Sequence, residues 1–236
     1  MKYLSIGNNA KTIKSDKGGE YLTAIMYLAP ADTVKGINLC PTAELAGCKR
    51  ACLYSAGRGA FNNVQQARIK KTEAFRDDPV SFVDQLADDI KKAAKKALKL
   101  GVRLSVRLNG TSDEPWEHHK GSNGLTLMEL FPDVQFYDYT KLPGRKVSNN
   151  YHLTVSYSGA NVKYADKVAK TDHNIAVVFR DSALPDYFLG RRVINGDRDD
   201  LRFLDDTGVV VGLYAKGRAK QDNSGFVVDT NIIARG

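Results

Sequence analysis

The sequence has no long hydrophobic run and very little cysteine. Its longest apolar runs, 21–31 and 174–179, fall far short of the ~20 residues that a membrane-spanning helix needs. The amino terminus does not combine a charged region with an apolar stretch and a cleavage site, so no secretory signal is expected. We therefore expect a cytoplasmic protein that does not associate with membranes.

The three cysteines are crowded into one stretch of 13 residues, Cys40, Cys48 and Cys52, with the spacing CxxxxxxxCxxxC. Random placement would crowd three residues this tightly only about one time in a hundred. An odd number of cysteines in one close cluster fits free thiols in a reducing compartment better than a framework of disulfides. The spacing therefore predicts a metal site.

The spacing also bears on the identity of the metal. Structural zinc prefers four Cys or His ligands and commonly uses CxxC pairs, which this loop lacks, and no histidine lies near it. An iron–sulfur cluster takes ligands from a more open loop and tolerates three thiolates with a fourth ligand of another kind. We expect one 4Fe-4S cluster on Cys40, Cys48 and Cys52. Zinc completed by a distant histidine, and metal-free buried or redox-active thiols, stay open as alternatives.

Short apolar runs recur along the chain and alternate with polar, Gly-bearing or helical sequence. The runs are 3–6, 21–28, 104–108, 134–139, 152–157, 175–179, 191–195 and 209–213. Helices are predicted over 60–76 and from Asp78 and Pro79 to the closing Gly101. This rhythm predicts an α/β fold, a partial or irregular (β/α) barrel with mainly parallel strands, in a single domain over 1–236.

Polar residues follow most of the predicted strands. The candidates for binding a cofactor or substrate are Asn109, Asp113, Asp138, Lys141, Ser156, Asp197 and Lys216. A turn or helix cap explains any one of them alone, but in parallel α/β folds the carboxyl ends of the strands share one ligand-binding edge. Lys141 and Lys216 suit a carboxylate or phosphate. Candidates for the fourth cluster ligand are Asp113, His118 and His119, although adjacent histidines in a polar loop are more often simply exposed.

The net charge of +8 and the isoelectric point near 9.3 raise the question of a nucleic-acid partner. Much of the excess lies on one face of the second predicted helix, which we interpret as solvated. That face carries Lys91, Lys92, Lys95, Lys96 and Lys99, with Asp84, Asp88 and Asp89 earlier in the helix. A second group favours nucleic acid and comprises Arg191, Arg192, Lys216, Arg218 and Lys220.

Two resemblances follow from these motifs. The cysteine loop after the first strong strand of a partial barrel, with Cys52, Leu53 and Tyr54 at its end, resembles radical S-adenosylmethionine enzymes. The usual cysteine spacing of those enzymes, CxxxCxxC, is shorter at both gaps than the spacing in this chain. Those enzymes also have a glycine-rich cofactor strand after the cysteines, whereas here Gly18 and Gly19 precede the first strong strand. The pattern CPxxxxxxCxxxCxY, with 107–113 and 139–141, more specifically resembles a tailed-phage family named after mycobacteriophage gene product eighty-eight, over most of the chain. The resemblance implies a bound cluster and a host-cytoplasmic location, and it names no reaction.

Three classes of function follow. The first is an enzyme that uses the cluster as a Lewis acid or radical initiator on an unknown substrate, with S-adenosylmethionine as a candidate second cofactor held by residues such as Asn109, Ser156 and Lys216. The second is a nucleic-acid-associated phage protein with a structural or redox-sensing cluster. The third is a zinc-stabilised interaction module, which the chain length and the cysteine spacing disfavour.

Overall fold

The computed structural model describes residues 2–7, 15–52, 54, 57–181 and 183–230, and shows an α/β fold built on one large sheet. The strands are β1 Leu4–Ile6, β2 Tyr21–Met26, β3 Arg103–Arg107, β4 Gln135–Thr140, β5 Tyr151–Ser156, β6 Ile175–Phe179, β7 Tyr187–Phe188, β8 Arg191–Asn195, β9 Val210–Tyr214 and β10 Val227–Val228. Eight of these coincide closely with the predicted runs, whereas β7 and β10 are too short to have been predicted.

Helices of very different length connect the strands. They are α1 Cys48–Ala51, α2 Asn62–Asp77, α3 Pro79–Lys99, α4 Leu127–Leu130 and α5 Val162–Ala169, with 3-10 turns at Gly57–Ala60, Trp116–His118, Arg202–Leu204 and Gly217–Gln221. Both long helices were predicted. The Asp78 side chain accepts a hydrogen bond from the Ser81 N–H at 3.0 Å and caps α3, as its position before Pro79 indicated. Among the described residues, no helix is both long and apolar enough to cross a bilayer.

The sheet is mainly parallel, as predicted, but it does not close into a barrel within the described residues. The strand order is β1-β2-β3-β4-β5-β6-β9-β8-β7, with β10 paired to β6. Among the described strands, antiparallel pairs occur only at the two ends of the sheet, where β1 joins β2 and β7 joins β8. The strands from β2 to β6 are neighbours in chain order, as successive βα units predict, although no described helix separates β4 from β5. The order then breaks, because β9 lies between β6 and β8.

The two faces of the sheet differ in character. One face packs against α2 and α3 through an apolar core that includes Leu22, Val106 and Phe136. Asp89 belongs to this packing and not to a solvated helix face, because it is 7% exposed and accepts a hydrogen bond from the Tyr3 N–H at 2.7 Å. The opposite face is partly polar and is covered by the segment that carries the Arg202–Leu204 turn.

Gly110 allows the loop after β3 to approach the end of β2. Its N–H donates to the Met26 carbonyl at 2.9 Å, and a Cβ at this position would lie 2.6 Å from that oxygen and 2.5 Å from Tyr27 Cδ1. The first contact is with backbone, which cannot move as a side chain can. A glycine is therefore required for this close approach.

We predict that Gly110→Ala lowers the free energy of unfolding by about 1–3 kcal/mol, because the added methyl group overpacks the loop against β2. Chemical denaturation measures this change. Gly18→Ala is the control, since the nearest atom to a Cβ there lies 4.0 Å away. Equal stabilities of the two variants would contradict the close approach.

Candidate functional site

The cysteine loop lies across the carboxyl ends of the central strands. The Asp113 N–H, after β3, donates to the Leu39 carbonyl at 2.8 Å, and Ser158 Oγ, after β5, donates to the Ala46 carbonyl at 2.7 Å. Ser224 Oγ, close to β10, donates to the Gly47 carbonyl at 3.2 Å. The loop is thus held at its start and in its middle by segments that leave different strands.

Gly47 sets the turn that brings Cys48 into α1. Its φ is +64°, in the left-handed region, and a Cβ there would lie 2.6 Å from Ser224 Oγ. After this turn, Ala51 packs against Ala215 and Ala219, which lie beyond the end of β9. Leu53, which contributes to the resemblance noted above, lies outside the described residues.

All three cysteines line one cavity of about 460 Å³ at the carboxyl ends of the strands. This volume is in the range of pockets for small molecules. The cavity is also lined by six of the seven polar residues that the sequence singled out, which are Asn109, Asp113, Lys141, Ser156, Asp197 and Lys216. The expectation that the strand-end residues converge with the cysteines at one edge of the sheet agrees with this geometry.

The thiols are partly buried and influence one another electrostatically. Burial raises the pKa of the Cys40 thiol to about 12, and the nearby Cys52 contributes to the increase. Burial also raises the pKa of Cys52. Backbone N–H groups point at both sulfurs, from Ala31 to Cys40 and from Tyr54 to Cys52, the latter at 3.4 Å. Donors of this kind stabilise a thiolate and tune the potential of a cluster that the thiolate binds.

Lys141 provides positive charge among the cysteines. Burial lowers the pKa of Lys141, but its interactions with neighbouring groups, Asp113 among them, more than offset this and raise the pKa overall, so the ammonium group stays protonated. The Lys141 N–H also donates to Asp113 Oδ2 at 2.7 Å, while Asp113 Oδ1 has no hydrogen-bond partner. Burial raises the pKa of Asp113 and Lys141 lowers it. The lysine, the aspartate and the thiols therefore form one electrostatic unit.

Asn109 and Asp138 hold the site together and do not present their polar groups to a ligand. Asp138 Oδ1 accepts from the Asn109 N–H at 2.7 Å, and Oδ2 accepts from Tyr151 Oη at 2.8 Å. Asn109 Oδ1 accepts from Ser112, Glu114 and Trp116, which shapes the loop that carries Asp113. Asp138 is fully buried and does not line the cavity.

The two rim residues, Asp197 and Lys216, pair with each other. The Lys216 ammonium group donates to Asp197 Oδ1, and Asp197 Oδ2 accepts from the Tyr214 N–H at 2.9 Å. Lys216 is exposed and Asp197 is half-buried. The pair joins the ends of β8 and β9 and remains accessible to a ligand in the cavity.

His118 and His119 do not join the cysteines. His119 Nε2 lies 2.7 Å from Glu114 Oε1, and its ring packs against Phe75 and Trp116. Neither histidine lines the cavity. Of the three residues considered as the fourth cluster ligand, Asp113 alone lies at the site.

Arg107 and Tyr139 belong to the cavity, although sequence reasoning did not select them as site residues. Both line the cavity from the face of the sheet opposite α2 and α3. The guanidinium carbon of Arg107 lies 4.7 Å from the centroid of the Tyr139 ring. Arg107 Nη1 donates to Asp200 Oδ2 at 2.7 Å. The signal available in the sequence was an arginine between Val106 and Leu108, where a charge is costly to bury unless it is paired.

The cavity wall offers three thiols as donors to a metal group. Within the described residues, no three Cys, His, Asp and Glu side chains are arranged around one metal ion. The three thiols line one cavity, and burial together with the nearby Cys52 raises the pKa of Cys40.

Fold and site together define a class, a mainly parallel α/β protein with a three-cysteine loop over a small-molecule cavity. The model of the family described as Gene product 88 matches residues 3–230 of this chain. The chain therefore belongs to the gene product 88 family, a family of phage gene products. Comparison with curated proteins and with solved structures gave no match.

We predict that Asp138→Asn lowers the free energy of unfolding by about 1–3 kcal/mol at pH 5, because the amide cannot accept every hydrogen bond that the carboxyl group receives. Burial raises the pKa of Asp138 to about 6, above its value of 3.8 without the protein environment. The protonated Asp138 side chain therefore adds most to the free energy of unfolding of the wild type below pH 4, and this contribution is lost as the pH rises through 6.

The stability difference between wild type and variant should consequently shrink between pH 4 and pH 7. Urea denaturation over this range measures it. Asp133→Asn is the control, since this exposed residue lies outside the network. A difference that grows with pH would contradict the raised pKa.

We also predict slow alkylation of Cys40 in metal-free protein. With a pKa of about 12, only about one Cys40 in ten thousand is a thiolate at pH 8, and the thiolate is the reactive form. The rate should rise about tenfold for each pH unit from 7 to 10. Iodoacetamide labelling followed by peptide mass spectrometry measures this, with free cysteine as the reference. A rate equal to that of free cysteine at pH 8 would contradict the burial of this thiol.

Proposed function

We propose that this phage protein binds one 4Fe-4S cluster through Cys40, Cys48 and Cys52 and acts on a small molecule in the adjoining cavity. The observation that carries the proposal is that all three cysteines line the same cavity as Lys141, Asp113 and Ser156. A structural cluster needs no such cavity, whereas an enzyme needs room for a substrate beside its cofactor. We further propose that the protein works in the cytoplasm of the host.

The residues around the cysteines suit a cluster whose thiolate ligands carry negative charge. Three thiolates carry net negative charge, which the protonated Lys141 compensates from inside the cavity. The N–H groups of Ala31 and Tyr54 add donors to two of the sulfurs. A bound cluster with three cysteine ligands supplies an open iron site that acts as a Lewis acid or as a one-electron donor.

Asp113 is the carboxylate that we assign to that open position, and its Oδ1 lies 3.9 Å from Arg145 Nη1. It is 6% exposed, it lines the cavity, and its Oδ1 has no hydrogen-bond partner. This oxygen can accept a proton or a hydrogen bond from a ligand, while Oδ2 stays held by the Lys141 N–H. Asp113 therefore either completes the cluster or orients the ligand.

S-adenosylmethionine is the candidate second cofactor in this proposal. The cavity wall carries charges of both signs, among them Asp113, Lys141 and Lys216, which suits a zwitterion. Asn109 does not serve it, because its amide is bonded within its own loop. Ser156 and Lys216 remain the polar groups for the ribose and carboxylate.

A nucleic-acid-associated role is the second candidate. Arg50 and Arg218 are exposed and line the cavity, so a phosphate backbone would meet positive charge there. Lys49 is paired with Asp32 and Glu44, and Lys216 is paired with Asp197, so both contribute less. Arg191 does not contribute, because its guanidinium group donates to the carbonyls of Thr171 and His173. Arg192 is paired with Asp206 at 2.6 Å. Zinc is less well supported, since neither His118 nor His119 lines the cavity.

We expect about four irons and four acid-labile sulfides per chain in protein purified without oxygen, and loss of both in a triple Cys→Ala variant, because the three thiolates are the ligands. Elemental analysis and electron paramagnetic resonance measure this. Thr42→Val is the matched control, since Thr42 lies in the same loop and lines the cavity without a thiol. A spectral change on adding S-adenosylmethionine supports the second cofactor.

Full iron content in the triple variant would overturn the proposal, and so would zinc in place of iron. Iron-free protein that binds DNA in a salt-dependent way, and loses that binding in an Arg50→Gln and Arg218→Gln double variant, would favour the nucleic-acid role.

A further inference from the structure

Arg68, on α2, is a buried arginine beside the third cysteine, and no carboxylate of the described residues balances its charge. The residue is 8% exposed, and its Nε has no hydrogen-bond partner. Burial lowers the pKa of its guanidinium group, and the neighbours that oppose this effect are Tyr27, Tyr54 and Cys52. A buried charge is normally paired with an opposite charge, so this environment indicates a negative group that is formed or bound nearby.

The guanidinium group of Arg68 holds the backbone shortly after Cys52. Its Nη1 donates to the Tyr54 carbonyl at 3.2 Å, and its carbon lies 5.2 Å from the centroid of the Tyr54 ring. Gly59 packs against the same carbonyl, because a Cβ at that position would lie 2.7 Å from the Tyr54 oxygen. Tyr54 is therefore held through both its backbone and its side chain.

Arg68 is itself held by α2 and by the chain that follows β2. Its guanidinium carbon lies 5.2 Å from the centroid of the Tyr27 ring. Thr72, one turn further along α2, donates to the Arg68 carbonyl at 3.0 Å, and Thr72 Oγ1 accepts from the Ala29 N–H at 2.9 Å. The arginine thus lies between two tyrosine rings, on a helical turn that is bonded to the segment after β2.

The residue that Arg68 holds is a hydrogen-bond donor to a cysteine sulfur. The Tyr54 N–H donates to Cys52 Sγ at 3.4 Å. Cys52 lines the cavity with the other two cysteines, whereas Arg68 does not line it. Arg68 therefore influences the sulfur from outside the cavity, through Tyr54 and through its positive charge. Hydrogen bonds and charges around the sulfurs tune the reduction potential of an iron–sulfur cluster.

We infer that Arg68 is a positioning residue for the Cys52 ligand of the cluster, which holds the Tyr54 N–H on the sulfur and compensates the charge of the thiolate. The inference rests on the proposed function in taking Cys52 as a cluster ligand. It adds that a residue of α2, outside the cavity, sets the potential of the group bound inside it.

Arg76 provides a matched control two turns further along the same helix. Its Nη1 also donates to a loop carbonyl, that of Lys35, at 2.9 Å, and its Nε pairs with Asp77 at 2.8 Å. Arg68→Met and Arg76→Met each remove one positive charge from α2 and one hydrogen bond to a loop carbonyl. They differ in contact with the segment that follows Cys52. The melting temperature without metal checks that both variants fold.

The test uses the full chain, first without metal and then with reconstituted iron. In metal-free protein, nuclear magnetic resonance measures hydrogen exchange of the Tyr54 amide. We expect exchange about tenfold faster in Arg68→Met than in the wild type, the effect of one hydrogen bond, and unchanged exchange in Arg76→Met.

With iron, we expect Arg68→Met to bind the metal about 10–100-fold more weakly than the wild type. Its cluster should have a more negative reduction potential, because the reduced cluster carries more negative charge and has lost a nearby cation. Redox titration followed by electron paramagnetic resonance measures the potential. Arg76→Met should match the wild type in both properties.

Equal exchange of the Tyr54 amide in the two variants would overturn the positioning role, whether or not iron binds. An unchanged potential in iron-loaded Arg68→Met would overturn the effect on the cluster. If Arg68→Met does not fold, Arg68→Lys replaces it, since lysine keeps the charge but lacks the fixed planar donors. Faster exchange in the Arg68 variant alone, together with failure of the wild type to bind iron, would support the positioning of Tyr54 and reject the cluster. The two proposals can therefore fail separately.

Discussion

The buried carboxylate of Asp138 is the constraint on which the site depends. It accepts hydrogen bonds from the backbone and side chain of Asn109 and from Tyr151, and it lies beside Arg107, so it links the end of β3, the interior of β4 and the first residue of β5. A buried charge of this kind is tolerated only when several donors surround it. Once Asn109 is fixed, the loop that follows it has little freedom, and that loop carries Asp113.

Asp113 connects this hydrogen-bond network to the cysteine loop. Its N–H binds the carbonyl of Leu39, the residue before Cys40, and its carboxylate binds the N–H of Lys141. Two strand ends and the start of the cysteine loop therefore meet at one residue. The other contacts of the loop, through Ser158 and Ser224, act further along it. Cys40 is consequently held by the centre of the sheet, while Cys48 and Cys52 follow from a short helix that packs on the segment after β9.

The sequence predicted the strands well because each one is a short apolar run with polar flanks. It did not predict the insertion of β9 between β6 and β8, although the relevant signal is present. A parallel strand buried on both faces needs apolar residues throughout. Val210 and Val211 in β9 are fully buried, whereas β8 begins with Arg191 and Arg192 and lies near the edge. The composition of a strand therefore indicated its position in the sheet better than its order along the chain did.

The location of the candidate site could be predicted from the sequence, but the roles of its individual residues could not. Polar residues after parallel strands had to share one edge, and six of the seven selected lie there with the cysteines. Which of them face the cavity depends on hydrogen bonds between residues far apart in sequence, such as the bond of Asn109 to Asp138. No local pattern carries that information. Arg107 was overlooked for a related reason, since its partners Asp200 and Tyr139 come from other parts of the chain.

The distribution of charge separates the two ends of the cavity. At the strand ends, Lys141 lies among thiols and Asp113, so this end accepts additional negative charge close to the sulfurs. On the Arg107 side of the cavity, one positive charge lies beside the two carboxylates of Asp138 and Asp200, so this side carries net negative charge. The difference in charge between the two sides favours the cysteine side for a group that carries negative charge, because Lys141 is the cation nearest to the thiols in the electrostatic network of Asp113 and Cys48.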